Sequence, residues 1–450
     1  MALAISHTLL HKESSMSQPW MQRLVVTSVI AVALGVSSGR LAEAHSSDDL
    51  DQDNHQREQT LYIWAGDQER QRPDFLAVID FDQHSPTYGH VLRTVPLPPP
   101  GNVGNEPHHC HLSADKNILA CGGLLSVLAG QPGIFFFDVS HARHPVFLFA
   151  TSAPNSSITD DFLPLPGGGF LVTQMGSASG GAPGRLAEFD HQLNLIAEYP
   201  AQPPEDGFNP HGISAAFRRN LLVTSDFINP VTTLNVSPGD IELRGSLRFW
   251  NLARREITRT VVLPEALGTM DVKLIPGDPH GRAVTVNMFS GLVYTVDPTD
   301  GSVVQSFDCE NIVPHIEVPV QGGMVQLLAM PKSGDRLIFA SFQAGQIGML
   351  DISNRTSPNG FVQQAIINLG MDAGPHDIAL TRDDARLVVT DYFLNQDAFG
   401  KIHFEGDHKV HVIQVTHETL TLDTRFNLDF NTALKHKYPA GARPHGIAMK

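Results

Sequence analysis

Short apolar runs that stop at an aspartate or another polar turn residue recur along the chain about every fifty residues. They are FLAVIDFD (75–82), IFFFDVS (134–140), RLAEFDH (185–191), SLRFWNL (246–252), GLVYTVD (291–297), IGMLDIS (347–353) and VHVIQVT (410–416). Each follows another β-rich run, such as LYIWAG (61–66), ILACGG (118–123) or RLIFASF (336–342), so seven strand pairs result. In six units a third segment comes earlier: HHCHLS (108–113), ITDDFLPL (158–165), HGISAAF (211–217), MDVKLIP (270–276), MVQLLAM (324–330) and HDIALTR (376–382). The first unit lacks one, and HGIAMK (445–450) is surplus at the opposite end of the chain. If the C-terminal strand completes the first sheet, both facts are explained and strand edges that would otherwise lie open are covered. The pattern therefore predicts an all-β fold: a seven-bladed β-propeller over residues 60–450, closed by the C-terminal strand pairing into the first blade. An open series of hairpins or a sandwich is the competing arrangement, and it leaves the surplus strand without a place.

The innermost strand of each propeller blade borders the central channel, so equivalent positions form one ring around the axis. Aligning PHGI (444–447), PHHC (107–110), TDDF (159–162), PHGI (210–213), TMDV (269–272), GMVQ (323–326) and PHDI (375–378) places His445, His108, Asp160, His211, Met270, Met324 and His376 on that ring. Proline fixes φ and removes a donor at the strand start, which holds the following imidazole in a defined direction. Neutral imidazoles converging on a dry channel make a transition-metal site, with Met270 or Met324 as thioether ligands if the metal is copper. Strand alternation turns His109 away when His108 faces inward, so one member of that pair is expected to be a ligand. Asp160, Asp161, Asp271 and Asp377 fall at or beside the ring; Asp160 and Asp377 are the candidates for orienting a histidine or moving protons. The alternative is a set of structural channel histidines bonded to backbone carbonyls.

Composition narrows the partners. Gly 38 and Pro 31 supply the turns that many short strands need. A formal net charge of −16, from 31 basic and 47 acidic residues, repels phosphate backbones and argues against nucleic acid as a partner. From Met21 the chain reads MQRLVVTSVIAVALGVSSGRLAEA, with a basic residue, an apolar run and a small-x-small site at Ala42–Ala44. Residues 21–44 are expected to be an export signal, 1–20 an upstream extension and 45–59 a flexible polar segment. The apolar run is too short for an ordinary span, so a periplasmic or secreted protein without a stable membrane anchor is expected. Only three cysteines occur, too few for a disulfide scaffold. Cys110 and Cys121 flank the turn at Asp115-Lys116 symmetrically, which a hairpin would set within disulfide reach; two buried free thiols are the other outcome.

PDFLAVIDFDQHSPTYGHVLRTVPLP (73–98), NEPHH (105–109), SLRFWNLARREITRTVVL (246–263), DRLIFASFQAGQIGMLDIS (335–353), GPHDIALTRDDARLVVTDYF (374–393) and FNLDFNTALKHKYPAGARPHG (426–446) resemble, in order, successive segments of the selenium-binding protein family. The resemblance runs from about Leu61 to the end. It implies a seven-bladed propeller and a copper-dependent enzyme that oxidises a small thiol, methanethiol, with O2 and water to formaldehyde, hydrogen sulfide and hydrogen peroxide. The family's paired histidine falls on His108 and His109. Its His-Thr-Ser-His-Cys stretch is replaced here by LPLPGGG (163–169) and its Trp-Leu-His-Gly-Asp stretch by FQAGQ (342–346), while Pro-His positions at 211, 376 and 445 are gained. With these departures the chain resembles a divergent branch of the family, and a rebuilt metal site is expected. Two other functions fit the same residues: a four-histidine non-haem iron oxygenase, and a non-catalytic selenium- or metal-binding propeller.

Overall fold

The middle strands of the repeats carry no polar face because both of their faces are buried. Phe75–Asp80 and Arg336–Ser341 are covered at every position, which explains why these segments read as continuous apolar runs rather than alternating ones. In the computed structural model, which describes residues 57–450 apart from 205–206, 235–240, 266, 312–323 and 397–401, these strands assemble into seven antiparallel sheets. The segments expected to be an upstream extension and an export signal, and most of the expected polar segment, lie outside the described residues. Among the described residues no helix is long and apolar enough to cross a membrane.

Blade 1 is ordered Val91–Pro96, Phe75–Asp80, Thr60–Asp67, Ala442–Met449, so the last strand of the chain is the inner strand of the first blade. It pairs antiparallel with Thr60–Asp67, Leu61 opposite Met449 and Trp64 opposite Gly446. The propeller is seven-bladed and closed as the repeat pattern predicts. The inner strands of blades 2 to 7 are Pro107–Leu112, Ser156–Pro164, Pro210–Ala216, Thr269–Leu274, Val325–Ala329 and Asp377–Leu380.

Alternate residues of each strand serve opposite neighbours. Leu337 and Phe339 pack towards blade 5 with Val284 and Val286, whereas Ile338 and Ala340 pack towards blade 7 with Leu387 and Val389. The junction of blades 7 and 1 is built alike, from Val388, Val410 and Val412 against Leu61, Ile63 and Ile447. Polar clips reinforce the stacking. Asp161 accepts from the Ile213 amide (3.4 Å), Asp271 from the Leu328 amide (2.9 Å) and Asp377 from the Ile447 amide (3.0 Å), while the Ser214 hydroxyl accepts from the Leu274 amide (3.0 Å). Each clip ties the inner strand of one blade to that of the next.

Blade 7 departs from the repeat pattern, which predicts the apolar run LVVTDYF (387–393) as one strand. The blade strand ends at Thr390, and just beyond it Tyr392 turns inward to donate to Glu106. The chain then forms a separate hairpin, Phe393–Gln396 with Ile402–Glu405.

In blade 2, Cys110 stands opposite Cys121, and the two are joined by a disulfide. The bond fastens the strand carrying His108 and His109 to its neighbour. For a closed loop of this length the chain-entropy contribution is about 3 kcal/mol. Accordingly, the Cys110→Ala/Cys121→Ala double variant should lose about 2–4 kcal/mol in urea unfolding, and reduction of the wild type should reproduce that loss. An unchanged midpoint would show that the bond contributes no stability.

Candidate functional site

Five inner strands share one irregularity. Their register with the neighbouring strand slips between Pro107 and Cys110, Thr159 and Phe162, Pro210 and Ile213, Thr269 and Val272, and Val325 and Leu328. A bulge leaves extra residues unpaired and re-aims their side chains. In blade 2 it turns both His108 and His109 into the channel, with ring centroids 4.2 Å apart. The alternation expected for a regular strand, which would send one of them outward, does not apply there.

The same register corrects blade 6. Val325 occupies the place of Pro107 and Pro210, so Gln326, not Met324, takes the ring position. Met324 lies two residues upstream, where it packs with Met270, Met175, Met288, Phe227 and Phe342 in an apolar cluster. Blade 6 has no Pro-His pair to mark the position, and aligning methionine with methionine missed it.

Around the axis, His108, His109, His376 and His445 each offer a ring nitrogen, all lying within 4.8 Å of one another, and all four are buried. A second set, His108, Asp160 and His211, overlaps it under the same 4.8 Å limit. The sequence-predicted histidines therefore meet. Asp160 stands in their midst. Its Oδ1 is 3.0 Å from His109 Nδ1, and its Oδ2 is 3.3 Å from His108 Nε2 and 3.1 Å from His211 Nε2. Asp377 does not join them: its carboxylate is the clip to Ile447, and burial pushes its pKa up to about 6.

Charge is concentrated on one pair. Burial raises the cost of an Asp160 carboxylate, yet the surrounding imidazoles of His211, His108 and His109 hold its pKa well below the ordinary range. Burial also opposes a proton on His109, but Asp160, by charge and hydrogen bond, lifts it to about 9. Burial drives the others towards the neutral form: His211 down to about 4, and His376 and His445 well below the usual histidine range, with the neighbouring imidazoles adding to the effect. Neutral imidazole is the form that ligates a metal.

Two ring orientations are fixed from behind. His109 Nδ1 meets Asp160 and His376 Nδ1 meets the Gln326 carboxamide oxygen, and in both rings Nε2 has no hydrogen-bond partner. Both nitrogens of His445 and Nδ1 of His108 also lack one, and His108 Nε2 has only the Asp160 carboxylate beside it at 3.3 Å. Unpartnered buried nitrogens are costly, and a histidine whose far nitrogen is held by an oxygen is the arrangement found behind metal ligands. The donor set thus fits a transition-metal ion.

Further residues surround the cluster that the repeat alignment did not single out. Arg443 approaches Glu106 at 3.0 Å, its guanidinium lies 4.2 Å above the Phe404 ring, and Tyr392 donates to the other Glu106 oxygen. The Tyr392 ring is 5.6 Å from that of His445. The signal was present in the chain: Glu106 and Arg443 each immediately precede a Pro-His pair. Glycines allow the blades to close at this level. A Cβ on Gly446 would lie 2.2 Å from the His108 carbonyl oxygen, and one on Gly212 2.7 Å from the Asp271 carboxylate.

No protein-family model matches the chain. Among curated proteins it is 22% identical over 437 residues to human methanethiol oxidase, covering 82% of this chain and 90% of that one. It is 28% identical over 442 residues to selenium-binding protein 1 of Arabidopsis thaliana (82% and 87%) and 27% identical over 461 residues to selenium-binding protein 2 of the same plant (86% and 91%). Among solved structures, the hypothetical selenium-binding protein from Sulfolobus tokodaii superposes with a TM-score of 0.72 at 16% identity, covering 88% of this chain and 94% of that one. A putative 6-phosphogluconolactonase from Bacteroides uniformis reaches 0.54 at 10% identity, a likeness of fold alone (87% and 100%). Over most of its length the chain is thus similar to proteins named selenium-binding protein and methanethiol oxidase, and it shares the propeller fold of the selenium-binding protein from Sulfolobus tokodaii, as a divergent relative of that family would.

Proposed function

We propose that this protein is an exported, copper-dependent oxidase of small thiols, converting thiol, O2 and water to aldehyde, sulfide and hydrogen peroxide. The observation that carries the reading is the group of four buried histidines with unpartnered ring nitrogens on the propeller axis. His108, His109, His376 and His445 would hold the metal, with Gln326 and Asp160 keeping His376 and His109 in position. Copper so held supplies a soft, redox-active centre suited to a thiolate and to dioxygen. The chain's own part is to exclude bulk water from the buried cluster, to keep His108, His376 and His445 neutral, and to hold the His109 Nδ1 proton against Asp160, leaving Nε2 to be freed as metal binds. The relatives called methanethiol oxidase support the thiol, and the segment 21–44 supports export.

A second metal is favoured by one specific feature. His108, Asp160 and His211 form a two-histidine, one-carboxylate set of the kind that holds iron in non-haem oxygenases. Elemental analysis of protein matured through the export pathway separates the two: copper near one equivalent is expected, together with thiol-dependent peroxide release. Copper-loaded protein inert towards methanethiol would overturn the oxidase reading, and iron in its place would transfer the argument to the second set.

A further inference from the structure

The axial cluster separates two cavities of opposite character. Residues that follow the ring position along the inner strands, among them Asp161, Asp271, Lys273 and Asp377, line a polar channel of about 510 Å3 that His109 borders. Residues that precede it, such as Ile158 and Met324, line a chamber of about 130 Å3 that His108 borders. Asp160 and His211 are common to both. Inner strands run along the axis of a propeller, so the two spaces lie on opposite sides of the histidines.

The chamber is walled by apolar side chains, aliphatic ones such as Ile158 and Ile228 together with the thioethers of Met175, Met270, Met288 and Met324 and aromatic rings such as Phe227. Apart from one threonine, its polar lining consists of His108, Asp160 and His211, which belong to the cluster. An ion or zwitterion entering there would lose its hydration with nothing on the walls to replace it. Polarisable sulfur and ring edges favour an uncharged sulfur compound instead. For scale, a dry apolar cavity of roughly 150 Å3 accepts benzene.

We propose that this chamber is a binding site for small uncharged sulfur compounds of up to about six heavy atoms, and that Met288 and Met175 set the size limit. The inference rests on the thiol-oxidase reading for its chemistry, and on the cavity itself for its place. Dimethyl sulfide, observed by saturation-transfer NMR on the metal-loaded protein, is the probe; S-methylcysteine carries the same thioether on a zwitterion.

Dimethyl sulfide should bind the wild type, S-methylcysteine should not, and Met288→Trp should weaken the first by about tenfold or more by filling the space. Ala215→Trp, in the polar channel, should leave it unchanged. Met288→Ala should instead tighten dipropyl sulfide by about fivefold or more, an arm that decides the question even if the tryptophan variant fails to fold. Equal binding of dimethyl sulfide to wild type and folded Met288→Trp, its loss in Ala215→Trp, or equal binding of S-methylcysteine would each overturn the proposal. A chamber that binds dimethyl sulfide in a protein releasing no peroxide from thiols removes the oxidase reading and keeps the site. Thiol oxidation unaltered by Met288→Trp removes the site and keeps the reading.

Discussion

Replacing His376 with alanine is expected to lower metal affinity by well over tenfold, since losing even a hydrogen-bond partner behind a ligand costs about 10–100-fold. His376 is fully buried, its Nδ1 is held by Gln326, and its Nε2 has no hydrogen-bond partner. Removing it takes one of four nitrogen donors from the group. Gln326→Leu tests the layer behind: the imidazole stays, its orientation is lost, and affinity should fall by about 10–100-fold. His211→Ala should cost less, because His211 belongs to the overlapping set with Asp160 and not to the four-histidine group. Competition titration against a chromophoric copper chelator ranks the three variants, with circular dichroism confirming their fold. If His211→Ala loses the most metal and His376→Ala little, the donors are His108, Asp160 and His211, and the four-histidine assignment falls.

What could be read from the chain follows from how propellers encode themselves. Strand pairs repeat because each blade must bury the same two faces, so FLAVID and RLIFAS announce middle strands without any alignment to other proteins. The surplus HGIAMK announces closure because an inner strand was missing elsewhere. Pro107-His108, Pro210-His211, Pro375-His376 and Pro444-His445 could be set in register for the same reason. Period-two reasoning failed at His109, where the bulge suspends alternation, and identity matching failed at Gln326, where the ring position carries neither proline nor histidine. Glu106 and Arg443 were hidden differently. Their partnership joins residues near opposite ends of the chain, and it exists only once blade 1 is closed. Asp377 lies in the expected neighbourhood but serves the fold instead of the metal, since its carboxylate holds the closing strand.

Deleting residues 442–450 is expected to abolish the folded state rather than weaken it. The deleted strand is the inner edge of blade 1, pairing with Thr60–Asp67 from Leu61 to Asp67. It places Ile447 and Ala442 in the core between blades 7 and 1, and it receives the Asp377 clip through the Ile447 amide. Its loss also leaves Glu106 as a buried charge without Arg443, a change that alone costs about 3–5 kcal/mol. Set against a net stability of about 5–15 kcal/mol for a typical domain, the combined loss leaves no margin, and a strand edge lies open to aggregation. Limited proteolysis should digest the truncated chain under conditions that spare the full one. Two point variants separate closure from chemistry. Gly446→Val drives a side chain into the His108 carbonyl, so it should part blades 1 and 2 and lower the melting temperature sharply. His445→Ala keeps the strand and its backbone pairing, so it should melt near the wild type when both are metal-free, yet bind metal poorly. A truncated chain that resists protease and melts cooperatively would mean that the C-terminal strand does not hold the propeller closed, and that His445 reaches the axis for some other reason.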